Sequence, residues 1–115
     1  MKNKGVIHCD LKPENILFTD NKCKQINIVD FGSSCFGCET GYTYVQSRYY
    51  RSPEVVLGIP YNSQLDMWSV GCIVYELVSG AVLFPAENDE SELLEYWYVT
   101  VGELPDDLLK KAGKD

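Results

Sequence analysis

The sequence predicts a mainly α-helical α+β protein with a small β-hairpin near its start, and three patterns predict it. Two short apolar runs flank a polar turn. One longer run carries apolar residues at every helical position. Two shorter helical runs follow Pro85 and are separated by Gly102 and Pro105.

The hairpin comes first. Residues 15–19 and 25–29 enclose Asp20-Asn21-Lys22-Cys23-Lys24, a turn-forming stretch between two strand-length runs. Residues 32–51 are rich in Gly, Ser, Tyr and Thr and follow neither a period of 2 nor one of 3.6. An aperiodic segment of that length in a small protein is usually functional or disordered. Residues 65–78 predict a helix apolar on every face, which implies that it is buried. Ser63 is placed to cap it, with Asp66 three residues on as a short-armed capping box, and Gly80 supplies the stop. Residues 90–99 and 106–111 predict two shorter helices. The second has acids in its first turn and lysines in its last, which suits the helix dipole.

No repeat or linker interrupts the 115 residues, so a single domain is expected. The 45% hydrophobic and 23% charged fractions are those of an ordinary globular chain and exclude a disordered tail. Residues 86–115 hold nine acidic and three basic side chains of a total net charge of −7. No basic stripe exists to follow a phosphate backbone or an anionic membrane, so neither nucleic acid nor a bilayer is an expected partner. Uncharged stretches such as 55–65 and 77–86 reach about half of the roughly 20 residues a span needs. The charged start runs into Ile7-His8-Cys9-Asp10 instead of an apolar signal segment, and no Asn-x-Ser/Thr site occurs. Five cysteines without framework spacing read as intracellular thiols, placing the protein in cytoplasm or nucleus. Cys35-Phe36-Gly37-Cys38 has C-x-x-C spacing, but no second pair or nearby histidine completes a zinc site.

The chemistry-bearing residues fall in three groups. The first is His8-Cys9-Asp10-Leu11-Lys12-Pro13-Glu14-Asn15, and the second is Asp30-Phe31-Gly32 directly after the second strand. The third is Ser52-Pro53-Glu54 followed by Asp66-Met67-Trp68-Ser69-Val70-Gly71. Each alone is a weak signal; in this order and spacing they resemble the catalytic core of eukaryotic protein kinases. Cys9 in place of the usual arginine, Asp30-Phe31-Gly32-Ser33-Ser34-Cys35, and the run from Tyr42 to Glu54 (YTYVQSRYYRSPE) are similar to the dual-specificity tyrosine-regulated (DYRK) kinases of the CMGC group.

The residues support that resemblance on chemical grounds. Phosphoryl transfer needs positioning and charge neutralisation more than covalent chemistry. Asp10 suits the acceptance of a proton from a substrate hydroxyl, and Lys12 suits stabilisation of the transferred phosphate. Asn15 and Asp30 are hard oxygen donors fit for Mg²⁺. The turn closed by Pro13 and the hairpin are expected to bring Asp10, Asn15 and Asp30 together, with Lys12, Asn15 and Asp30 holding Mg-ATP.

The resemblance implies further roles. Residues 32–51 would be the activation loop, Tyr44 its autophosphorylated tyrosine, and Ser47 a residue facing the substrate. Arg48 and Arg51, the only arginines in the chain, would pair with a phosphate on Tyr44, since Cys9 removes the neighbouring arginine. His8 and Asp66 would support the catalytic loop. Glu54 would normally pair with a late arginine that this sequence does not have. Cys9 and Cys35 fall in segments that should be neighbours and are expected to form a reversible redox pair.

The same resemblance implies a partial carboxy-terminal kinase lobe, mainly helical, with a hairpin carrying the catalytic and metal-binding loops. Residues 1–115 would hold the catalytic loop, the activation loop and helices like the family's αF and αG, with the amino-terminal lobe absent. No G-x-G-x-x-G and no V-A-I-K-like lysine occurs. The expected function is ATP- and Mg²⁺-dependent phosphorylation of protein hydroxyls, serine/threonine by class with tyrosine autophosphorylation. The isolated 115 residues are expected to be inactive. The competing expectation is a non-catalytic lobe remnant that binds partners through exposed core; a metal-dependent nucleotide binder is weaker, with two metal ligands and no adenine pocket.

Overall fold

A computed structural model describes residues 2–37 and 44–112. Four short strands precede four helices: β1 (Val6–Ile7), β2 (Ile16–Phe18), β3 (Ile26–Ile28), β4 (Cys35–Phe36), α1 (Pro53–Val56), α2 (Gln64–Ser79), α3 (Ser91–Val101) and α4 (Asp106–Ala112). Single 3-10 turns lie at Pro13–Asn15 and Arg48–Tyr50.

The predicted hairpin is present. β2 and β3 pair antiparallel with Ile16 opposite Ile28 and Phe18 opposite Ile26. Asp20 sets the turn: its carbonyl accepts the Cys23 N–H (3.3 Å) and its carboxylate the Lys24 N–H (3.0 Å). The consequence lies at the open end, where the Val29 N–H donates to the Asn15 carbonyl at 2.9 Å. That bond sets Asn15 beside the start of Asp30-Phe31-Gly32.

A second two-stranded sheet was not legible. β1 pairs antiparallel with β4, Val6 opposite Phe36 and Ile7 opposite Cys35. Two-residue strands carry no periodic pattern, so only the paired partner reveals them. The same holds for α1, a single turn begun by Pro53.

Helix α2 spans two residues more than the sequence predicts, and its start differs. Ser63 is itself helical and makes no side-chain cap; the Asn62 side chain accepts the Gln64 N–H instead (2.8 Å). The Asp66 carboxylate cannot close a capping box because it is engaged elsewhere. Gly80 ends the helix at φ 77°, its N–H donating to the Glu76 carbonyl, a left-handed stop that a side chain would strain.

The expectation that α2 is buried on every face is corrected. Leu65, Ser69, Cys72 and Ile73 are buried, but Met67, Val74, Leu77 and Val78 are exposed, the last at 85%. The described elements pack on one side of a 16-residue helix and leave its far side bare.

One core cluster joins Leu11, Tyr50, Cys72, Ile73, Phe84, Ala86, Leu93 and Trp97. Its centre is aromatic: Trp68 stacks on Phe84 (5.9 Å between centroids) and meets Trp97 edge-on (5.5 Å). The other cluster, Ile7, Cys9, Val45, Val55, Tyr61 and Leu65, lies under the residues that carry chemistry. No described helix is long and apolar enough to cross a membrane.

Candidate active site

The turn after β1 is held from below. The backbone N–H groups of His8 and Cys9 both donate to the Asp66 carboxylate, at 2.8 and 3.0 Å. His8 and Cys9 are fully buried and Asp66 nearly so. Cys9 takes a left-handed φ of 67°, a conformation costing about 1 kcal/mol or more in a residue with a side chain. The two hydrogen bonds to Asp66 offset that cost and turn the chain so that Asp10 emerges from the core.

Asp10, Lys12 and Ser47 then close a triangle. The Ser47 hydroxyl donates to Asp10 Oδ1 (2.8 Å) and accepts from Lys12 Nζ (3.0 Å), while Lys12 Nζ lies 3.7 Å from Asp10 Oδ2. Asn15 completes the turn from inside, its Nδ2 donating to the Asp10 carbonyl at 2.9 Å. That leaves the Asn15 amide oxygen available as an acceptor. Asp30 has a left-handed φ of 60°, and its Oδ1 accepts the Gly32 N–H (3.3 Å). Its second oxygen has no hydrogen-bond partner among the described residues. One amide oxygen and one carboxylate on adjacent segments make a hard donor set that fits Mg²⁺.

His8 ties these segments together. The Asp10 N–H donates to its Nδ1 (3.1 Å), so the ring proton is on Nε2 and is donated to the Val29 carbonyl (2.9 Å). Phe31 packs edge-on against the same ring, 4.8 Å between centroids. One imidazole thus spaces Asp10 from Asp30.

The segment 44–52 is fastened by a residue that sequence reasoning missed. Gln46 is buried at φ 66°, and its N–H donates to the Cys9 carbonyl (2.9 Å). Its side chain donates to the Leu65 carbonyl and the Ser69 hydroxyl and accepts the Ser52 N–H, all within 2.9 Å. A glutamine inside a polar loop carries no sequence signal for burial; the partners that bury it are distant in the chain, Cys9 on one side and Leu65 and Ser69 of α2 on the other.

The two arginines differ sharply. Arg51 is 3% exposed, and all three of its nitrogens donate: Nε to the Val45 and Gln46 carbonyls, Nη2 to the Gln46 carbonyl, and Nη1 to Glu90 at 2.7 Å. The Tyr44 ring lies over its guanidinium, 4.2 Å from centroid to Cζ. Arg48 gives one bond, Nη1 to the Glu87 carbonyl (2.7 Å), and its buried Nε has no partner among the described residues. Glu90 was also missed, since nothing in an acid-rich stretch marks one carboxylate. Glu54 is half-buried and makes no ion pair among the described residues.

The thiols of Cys9 and Cys35 lie 3.9 Å apart, as expected of neighbouring segments. Burial, then the Cys35 sulfur beside it, pushes the Cys9 thiol up to about 12. The C-x-x-C partner Cys38 falls outside the described residues, as do Tyr42 and Thr43.

A family model for the protein kinase domain matches residues 1–102. The DYRK-family kinase pom1 of Schizosaccharomyces pombe is 55% identical over 93 residues, covering 81% of this chain and 9% of the relative. The dual specificity protein kinase YAK1 homolog of Arabidopsis thaliana is 50% identical over 116 residues, 100% of this chain and 12% of the relative. The human dual specificity tyrosine-phosphorylation-regulated kinase 4 is 54% identical over 88 residues, 76% of this chain and 17% of the relative.

The chain belongs to the protein kinase family, with DYRK and YAK1 kinases as its relatives. The chain spans less than a fifth of the length of each of these relatives. Its mixed helices and small antiparallel sheets are those of a piece of a kinase domain. Asp10, Lys12, Asn15 and Ser47 meet in space, and Asp30 is carried beside Asn15. Asp66 and His8 lie under them, as support for the turn requires. Of the residues singled out from the sequence, Asp10, Lys12, Ser47 and Asn15 are joined by hydrogen bonds, while Gln46, Ser69 and Glu90, which were missed, fasten the loop around them.

Proposed function

We propose that the kinase represented by this chain transfers the γ-phosphoryl group of ATP to serine and threonine hydroxyls of proteins, and to its own Tyr44. The closed triangle of Asp10, Ser47 and Lys12 carries the reading. Ser47 occupies Oδ1 of Asp10, so Oδ2 is left to accept the proton of an incoming substrate hydroxyl. The Lys12 ammonium sits next to that oxygen, where negative charge moves during transfer. Asn15 and Asp30 would hold Mg²⁺; bound there with ATP, the metal screens the phosphate charge. Residues 1–115 correspond to part of the carboxy-terminal lobe, with 32–51 as activation segment and α2 and α3 as its central helices. The chain acts inside the cell, in cytoplasm or nucleus, with protein substrates and neither nucleic acid nor membrane as partner.

The purified 115 residues should transfer no phosphate to peptides, because the sequence encodes no glycine-rich loop to cover ATP. Grafted in place of the matching 93 residues of the fission yeast relative, the segment should support phosphotransfer. Asp10→Asn in that graft should lower kcat by about 10²–10⁴, the range of a lost general base. An inert but folded graft, or an undiminished Asp10→Asn, would sink the reading. The bare face of α2, with Val78 85% exposed, favours a second reading as a non-catalytic binding module; a graft without activity that still captures a protein partner would support it.

Cys9 and Cys35 form, on this reading, a reversible disulfide that modulates the site. Hydrogen peroxide would oxidise the half-buried Cys35 to a sulfenic acid, releasing water. The Cys9 sulfur would then displace a second water to close the S–S bond. The sulfurs must approach from 3.9 Å to about 2.05 Å. Because burial keeps Cys9 protonated, closure should quicken as pH rises from 7 to 9. Oxidation, denaturation and alkylation should leave Cys9 unlabelled; a freely labelled Cys9 excludes the pair.

A further inference from the structure

All four polar atoms of Gln46 are engaged. Its N–H donates to the Cys9 carbonyl, and its own carbonyl accepts from Arg51 Nε and Nη2. Its side-chain amide donates to the Leu65 carbonyl (2.9 Å) and the Ser69 hydroxyl (2.8 Å) and accepts the Ser52 N–H (2.8 Å). Ser69 passes the link on, donating to the Tyr50 carbonyl at 2.8 Å. Gln46 and Ser69 are both buried, so a bond lost here is not replaced by bulk water.

The backbone is strained at the same point. Gln46 stands at φ 66°, a left-handed conformation that glycine adopts freely and a residue with a side chain does not. Ser47, directly after it, is ordinary extended backbone at φ −70° and ψ 141°. The chain therefore changes direction at Gln46, and that change decides where the Ser47 hydroxyl points. It points at Asp10, 37 positions away in the chain and 2.8 Å away in space. A glycine would keep the backbone bonds with less strain. What glutamine adds is the reach to Leu65 and Ser69 on α2.

We propose that Gln46 is a positioning residue whose side chain anchors the left-handed turn to α2 and so aims the Ser47 hydroxyl at Asp10. Ser47 held between Asp10 and Lys12 keeps Oδ2 of Asp10 facing the incoming hydroxyl. One buried amide thereby couples helix α2 to the reacting groups. This rests on the phosphotransfer reading above.

Gln46→Gly keeps the backbone bonds and the left-handed turn but cuts the link to α2. In the graft, assayed where circular dichroism shows it folded, it should lower kcat by about 10²-fold, the cost of a small misplacement, with KM for ATP unchanged. Ser69→Ala should lower kcat less, and should add no loss in the Gln46→Gly background, where the link it breaks is already gone. An unchanged kcat in Gln46→Gly overturns the proposal, and so does a full further loss from Ser69→Ala in that background. A KM for ATP that rises as kcat falls also overturns it, because a generally loosened fold behaves that way. If Gln46→Gly does not fold, Ser69→Ala decides alone, and an unchanged kcat there is the overturning result. Ser47 gives a readout independent of activity. In the 115-residue chain its three-bond Hα–Hβ couplings should report one fixed rotamer, and in Gln46→Gly an average over rotamers. Averaged couplings in the parent chain, or fixed ones in Gln46→Gly, overturn the proposal. An inert graft with the expected couplings fails the kinase reading while upholding the placement of Ser47 by Gln46.

Discussion

Asp66→Ala should unfold the protein or nearly so. The Asp66 carboxylate is the acceptor for two buried N–H groups, those of His8 and Cys9. Alanine leaves both without a partner, at about 1–3 kcal/mol each, with bonds to a charged acceptor toward the upper end. The sum, about 2–6 kcal/mol, is comparable to the whole stability of a small domain. Cys9 would also lose what holds its left-handed turn, and Asp10 would lose its fixed approach to Ser47. Urea denaturation followed by circular dichroism checks this, with Asp66→Asn as the milder comparison. Asparagine keeps one acceptor oxygen but turns an NH₂ group toward the other N–H, so it should fall between the two. A shift below about 1 kcal/mol in Asp66→Ala would show that the carboxylate does not carry the turn.

Trp97→Ala should cost about 3–5 kcal/mol through the cavity it leaves. Trp97 is 1% exposed and packs edge-on against Trp68 and Phe84 at 5.5 and 6.4 Å, so no side chain can collapse into its place without losing an aromatic partner. The loss extends beyond α3. Phe84 and Ala86 lie just before the segment that supplies Glu87 and Glu90 to the two arginines, so a loosened core should also free the segment 44–52. Trypsin cleavage after Arg48 and Arg51 should accelerate along with the fall in urea midpoint. Trp97→Phe, which refills part of the volume, should recover over half of the loss. A Trp97→Ala protein with unchanged cleavage would separate the helical core from the loop.

The site was more legible than the scaffold that holds it. Asp10, Lys12, Asn15 and Asp30 could be picked out because they stand in short motifs whose order and spacing resemble a kinase core. The hairpin was legible too, since a polar turn between apolar runs is a local pattern. Asp66 illustrates the limit. As a residue three positions past Ser63 it looked like a capping partner, yet its oxygens face the backbone of His8 and Cys9, 58 and 57 positions away. Glu90 and Gln46 show the same limit from the other side, because neither residue type is unusual where it stands.

What the sequence determined alone was the hairpin and the helix stops at Gly80 and Gly102. Those rest on local physics: turn chemistry, left-handed glycine and the spacing of apolar residues. The tertiary structure alone decided which side of α2 is covered, which arginine keeps a spare donor, and which carboxylate neutralises the buried one. Those outcomes depend on bonds spanning 19 to 58 positions along the chain, and no local pattern encodes which distant partner a buried polar group will find.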